Sequence, residues 1–216
     1  FPVVFGMPIG EHIIETNFYK IGVVYDNLLA IGMKPFIELS FMPELLAADP
    51  TRGFVYGSIN SLPKEMEKWC DYIREFLKYL FHRYGEEEVS TWYFEVWNEP
   101  DLTRPFFKGT QENYFRFYEA TARTIKEFCP NIRVGGPSSS ASKWIKDFVK
   151  FCRDENVPVD FVSTHQYLGE PFLGVEEKET EVTYEEAVEE QKKAEKAEQE
   201  RIKKLQEIFA ALPGDI

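Results

Sequence analysis

The residues best suited to chemistry stand where two short, mostly apolar runs stop. One run ends in Trp97, Asn98 and Glu99, closed by Pro100, and a later one ends in His165, Gln166 and Tyr167. A glutamate bordered by an indole and an amide can hold a proton near the working pH, give it to a departing oxygen and, as carboxylate, take another from water. If the first run is a strand, two-residue alternation sets Tyr93, Glu95, Trp97 and Glu99 on one side, with Glu99 at the rim and Pro100 ending the element. Asn98 adds one donor and one acceptor for a substrate hydroxyl.

Such groups need a frame, and the chain supplies one by alternation. At helical spacing within 17–30 stand Phe18, Ile21, Val24, Tyr25, Leu28 and Leu29, and Gly32 stops them; the run 34–41 then reads as a buried strand. A second stripe, Met66, Trp69, Cys70, Ile73, Leu77, Leu80, Phe81 and Tyr84, precedes the strand 91–97. A third, Tyr114, Tyr118, Ala122, Ile125 and Phe128, ends at Pro130 before a short strand, 132–134, closed by Gly135, Gly136 and Pro137. Trp144, Ile145, Phe148, Phe151 and Cys152 mark another helix, and 161–164 another strand. A last helix is expected over 183–212, with a solvated acidic start and a packed end.

Strands separated by helices require a parallel sheet, because each crossover returns the chain to the same end. No glycine-rich phosphate turn follows any strand, which removes the usual mark of a doubly wound nucleotide fold. The expected fold is therefore α/β, a (β/α)8 barrel, whose chemistry lies at the ends of its strands. Glu38 and Glu95 fall inside strands and are expected to be structural carboxylates paired within the barrel. His12 and His82 carry no supporting pattern.

Composition narrows the partners. Asp and Glu number 37 against 25 Lys and Arg, a formal charge of −12, so neither nucleic acid nor an anionic membrane is an expected partner. The chain is 44% apolar and 16% aromatic, enough for a sizeable core and for flat faces against sugar rings. Cys70, Cys129 and Cys152 are odd in number and widely spaced, and are expected as buried free thiols on helical stripes. A cytoplasmic location is favoured by default, although a chain that opens without Met leaves a leader upstream open. Oligomeric state is not legible.

Four segments together carry a family resemblance: GMKPFIELSFMP, FEVWNEPD, RVGGPSSSASKWI and DFVSTHQY, in that order and at similar spacings. Across about 17–167 the chain resembles glycoside hydrolase family 39, in particular its bacterial β-xylosidases. That resemblance implies a retaining, two-glutamate mechanism in which Glu99 is the general acid/base, with no metal or organic cofactor. It also implies that Asn98, His165 and Tyr167 line the sugar site, with Phe41 as an aromatic wall, and that the substrate is a xylo-oligosaccharide. Iduronidase or β-glucosidase specificity, or a non-catalytic sugar-binding role, are the alternatives.

The resemblance also sets an expected domain plan. The strands 34–41, 91–97, 132–134 and 161–164 count as the third to sixth of eight, and 2–5 as a remnant of the second. The chain, 1–216, would then be the central part of a catalytic barrel, with strands one, seven and eight and any accessory β-sandwich outside it. The family's nucleophile glutamate belongs to the seventh strand, so the 216-residue chain is expected to be inactive alone.

Overall fold

The computed structural model describes residues 17–53, 57–103 and 105–167, all within the unit Phe1–Leu173. The strand expected at 2–5, His12 and the helix expected at 183–212 lie outside the described residues. Helix α1, Tyr19–Ala30, leads to strand β1, Phe36–Glu38. Helices α2, Met66–Tyr84, and α3, Glu86–Val89, precede β2, Tyr93–Glu95. Helix α4, Gln111–Phe128, precedes β3, Arg133–Ser140, and α5, Ile145–Asp154, precedes β4, Phe161–His165. The four strands form one sheet in the order β1-β2-β3-β4, every pair parallel.

Each helix ends where its sequence demands. In α2 the residues Trp69, Cys70, Ile73, Phe76, Leu77 and Leu80 form one buried stripe, and Gly85 stops the helix at φ 81°, a conformation costly for a side chain. Thr110 and Asn113 close a capping box at the start of α4: Asn113 N–H donates to Thr110 Oγ1 at 3.2 Å and Thr110 N–H to Asn113 Oδ1 at 3.0 Å. Helices α2 and α4 meet where Trp69 packs on Phe117, ring centroids 5.0 Å apart, and Trp69 Nε1–H donates to Thr121 Oγ1 at 2.9 Å. The indole thus keeps a partner for its one polar atom while its rings fill the core.

The sheet separates two environments by alternation. Phe94 and Val96 of the β2 run and Val134 of β3 are wholly buried in the cluster that holds Leu77, Leu80, Phe117 and Tyr118. The opposite face carries Phe36, Tyr93 and Phe161, mutually packed with centroids 5.2 to 5.7 Å apart, and then Glu95. All three cysteines are buried free thiols, though Cys129 sits at the C-cap of α4 and not on a helical stripe.

Strand β3 differs from its expected span of 132–134. The chain runs straight through Gly135, Gly136 and Pro137 and pairs with β4 as far as Ser140↔His165. These glycines mark close approach, not a turn: a methyl on Gly135 would overlap the Phe161 carbonyl oxygen, and one on Gly136 would meet the Tyr114 hydroxyl. Pro137 is tolerated because the ladder is irregular between it and Ser139. Strands β1 and β2 are shorter than expected: after each, one more backbone bond reaches the neighbouring strand, from Leu39 N–H to the Glu95 carbonyl at 2.8 Å and from Val96 N–H to the Gly135 carbonyl at 3.0 Å.

Substituting Gly135→Ala should push β3 and β4 apart and lower stability by about 1–3 kcal/mol, the usual cost of overpacking. Thermal unfolding of the variant beside the parent measures it; an unchanged midpoint would show that the two strands have slack.

Candidate active site

Beyond Glu95 the backbone leaves regular strand geometry twice, at Trp97 with φ 73° and at Glu99 with φ 44°. Both lie in the left-handed region that side chains resist, so the surrounding contacts must hold them there. The first departure turns Trp97 away from the Glu95 face. Its ring packs against Phe107 and Phe117, and its Nε1–H donates to the Phe106 carbonyl at 2.9 Å. The expected alternation of Tyr93, Glu95, Trp97 and Glu99 on one face therefore fails at Trp97, because the left-handed residue shifts the phase of the side chains.

The second departure brings Glu99 back over the strand ends. Its N–H donates to the Ser138 carbonyl at 2.9 Å, tying the loop after β2 to β3. Its carboxyl is buried, and Oε1 lies 2.9 Å from Nδ1 of His165 at the end of β4. Glu99 and His165 are 66 residues apart in the chain, and the parallel sheet brings them together.

Beneath this pair stands Glu95, also buried. Its Oε2 accepts a hydrogen bond from Ser138 Oγ at 3.0 Å, and the same Oγ lies 3.3 Å from His165 Nε2. Glu38 accepts from the Ser40 hydroxyl. Hydroxyls and an imidazole thus meet the three glutamates, and Glu38 and Glu95, expected as paired structural carboxylates, each have a serine hydroxyl as partner. Ser138 carried no signal in the sequence: it is one of several serines in the run PSSSAS.

Of the remaining residues singled out by sequence, Phe41 joins an aromatic wall, edge-on to Trp97 at 5.5 Å and stacked with Phe106 at 6.2 Å. Asn98 is half-buried between Trp97 and Glu99. Tyr167 stands two residues beyond β4 and is 68% exposed; of the residues singled out, the structure joins Glu99 and His165 by a direct contact. His82 lies exposed on α2, far from strand ends in sequence.

Burial pushes the Glu38 carboxyl up, against the Ser40 hydrogen bond; the charges of Glu95 and Glu99 push the same way as burial. Burial likewise raises Asp101, against the hydrogen bond it accepts from Ser140 N–H at 2.9 Å. Its Oδ2 is buried with no hydrogen-bond partner among the described residues.

Parallel strands joined by helices, with carboxyl groups gathered where the strands end, are the build of a (β/α)-barrel enzyme. The family model described as glycosyl hydrolases family 39 matches residues 10–215, and the chain belongs to that family. It is 43% identical over 203 residues to a β-xylosidase of Caldicellulosiruptor saccharolyticus, covering 94% of this chain and 40% of that protein. Over 153 residues it is 43% identical to a β-xylosidase of Geobacillus stearothermophilus, covering 70% of this chain and 30% of the relative. The crystal structure of a monomeric β-xylosidase from Caulobacter crescentus CB15 superposes with a TM-score of 0.70 at 42% identity, covering 77% of this chain and 32% of that one. The chain thus spans less than half the length of these relatives.

Asp101 yields a pH test. Its raised carboxyl means that the folded protein binds a proton more tightly than the unfolded chain, so stability falls as pH rises from the ordinary Asp range, about 3.9, toward the raised value. Asp101→Asn keeps an acceptor for Ser140 N–H and cannot ionise. Its stability relative to the parent should therefore grow with pH across that window in thermal unfolding; a gap constant with pH would mean that Asp101 is not held high.

Proposed function

We propose that the chain is the central part of a retaining β-glycosidase barrel acting on β-1,4-xylo-oligosaccharides, and that Glu99 is its general acid/base. The observation that carries this reading is the buried Glu99 carboxyl in the loop after β2, bound to His165 at the end of β4. In such a reaction Glu99 starts protonated and gives its proton to the glycosidic oxygen, while a second carboxylate, supplied by the rest of the barrel, attacks the anomeric carbon. Glu99, now ionised, takes a proton from the water that releases the sugar. A retaining pair must stand about 5–5.5 Å apart across the sugar, and Glu95, buried beneath the rim on Ser138, is committed elsewhere.

Substrate class follows from charge and shape. Glu38, Glu95 and Glu99 crowd the strand ends, an acidic setting that favours a neutral sugar and opposes a uronate. Phe41, backed by Trp97 and Phe106, offers an apolar face to a pyranose ring. Asn98 and Tyr167 supply polar atoms for hydroxyls, while both ring nitrogens of His165 are taken by Glu99 and Ser138. The names of the relatives support xylose as that sugar.

In the polypeptide that carries the whole barrel, Glu99→Gln should lower kcat/KM on xylo-oligosaccharides by about 10²–10⁴-fold. Aryl xylosides with good leaving groups should lose much less at the first step, since they need no proton. Equal losses across leaving groups would remove Glu99 from the acid role.

Specificity is tested separately, by comparing aryl β-xylosides with the matching glucosides and glucuronides. The xyloside should be preferred by roughly 10-fold or more, the scale on which one pocket contact discriminates. Preference for the glucuronide would overturn the substrate while leaving Glu99 its role.

A further inference from the structure

We propose that Ser138 and Glu95 are positioning residues that decide which ring nitrogen of His165 carries hydrogen, and so keep a proton in the His165–Glu99 pair. The inference rests on Glu99 acting as the acid, and deepens that reading.

One chain of contacts fixes where the hydrogens lie. Ser138 Oγ lies 3.0 Å from Glu95 Oε2 and 3.3 Å from His165 Nε2, and His165 Nδ1 lies 2.9 Å from Glu99 Oε1. A hydroxyl has one hydrogen to give, and a carboxylate can only accept. Glu95 takes the hydrogen of Ser138. Toward His165 the serine then offers a lone pair, so Nε2 must bear hydrogen. In a neutral ring Nδ1 is then bare, and a bare nitrogen cannot face an ionised carboxylate at 2.9 Å without repulsion. One proton therefore stays between them, on Glu99 as the acid or on the ring as imidazolium.

The opposite arrangement shows what is at stake. Were Ser138 to point its hydrogen at Nε2, the neutral ring would carry hydrogen on Nδ1 and would satisfy an ionised Glu99 with no further proton. That state favours the base form of Glu99 before the reaction begins. Glu95 excludes it by taking the serine's hydrogen.

The backbone is shaped to aim Ser138 at this place. It occupies the irregularity in β3 between Pro137 and Ser139, at φ 54°, and bulges of this kind re-aim side chains beside active sites. Its N–H donates to Ser163 Oγ at 3.2 Å and its carbonyl accepts the N–H of Glu99 at 2.9 Å. Ser138 is fully buried and Glu95 nearly so, which leaves little room for water to replace either. Among the described residues, the other titratable groups whose charges reach this network are Glu38 at the end of β1, Asp101 after β2, Tyr114 of α4, and Lys143, which acts on Asp101.

The test is made on the polypeptide that carries the whole barrel, labelled with 15N-histidine. Ring 15N shifts report the tautomer of His165 directly, independently of any activity. A protonated, pyrrole-type Nε2, alone or together with a protonated Nδ1, is the expected result, and Ser138→Ala or Glu95→Gln should let the Nδ1–H form appear. A bare, pyridine-type Nε2 in the parent, or a tautomer unmoved in both variants, would overturn the proposal. Kinetics give the second readout: both variants should lose about 10-fold in kcat on poor leaving groups, with KM and good leaving groups nearly unaffected, a fraction of what general acid catalysis contributes. A loss uniform across leaving groups would mean a merely structural role. If the parent hydrolyses no glycoside, the glycosidase reading fails while the 15N measurement still decides the hydrogen count.

Discussion

Everything at the rim depends on the parallel register of β2, β3 and β4. Glu95↔Gly135 pairs the first two and Ser140↔His165 the last two, and from that register follow both the backbone bond from Glu99 to Ser138 and the contact between Glu99 and His165. β2 is only three residues long, so its ladder bonds alone hold it weakly. What pins it is the other face, where Phe94 and Val96 are wholly buried against α2 and α4. A slip of one residue would drive Glu95 into that apolar layer and expose Phe94, an exchange with a large cost in buried surface and desolvated charge. The hydrophobic layer thereby sets the geometry of the polar one.

A second constraint is the kind of partner each carboxyl meets. Lysine or arginine beside a buried glutamate would hold it ionised and end its usefulness as a proton donor. Here Glu38 meets Ser40, Glu95 meets Ser138 and Glu99 meets His165. Hydroxyls reorient and an imidazole nitrogen can donate or accept, so hydrogens in this network can rearrange with no fixed cation beside any of the three carboxyl groups. Cationic partners go to carboxylates that are only half-buried, such as Asp26 with Arg83 and Glu88 with Lys34.

The loops past β1 and β2 form one braced unit over the strand ends. Lys108 N–H donates to the Asn60 carbonyl at 2.8 Å, the Asn60 side chain binds the Pro105 carbonyl, and Lys108 pairs with Asp49 at 2.8 Å. This brace fixes Phe106, whose ring stacks on Phe41 and whose carbonyl holds the Trp97 indole. The aromatic wall is rigid because its three rings belong to two cross-linked loops.

Taken alone, the sequence determined the alternation of strands and helices, the parallel sheet, and the residues that gather where the strands stop. Those features rest on periodicity and on what can end an element, which are local and survive without a partner. The helical stripe of α2 and the placement of Glu99 and His165 at strand ends came from this logic. Other features were out of its reach. Gly135 and Gly136 look like a turn until the Phe161 backbone and Tyr114 stand beside them, and only packing makes them part of a strand. Two-residue alternation sent Trp97 inward, whereas left-handed backbone at 97, held by α4 and the loop carrying Phe106, turned it outward. Ser138 is indistinguishable from its neighbours in PSSSAS; the bulge in β3 alone aims it between Glu95 and His165. Hydrogen bonds between residues dozens of positions apart leave no period in a sequence, because they are set by the register of strands that the chain must first fold to create.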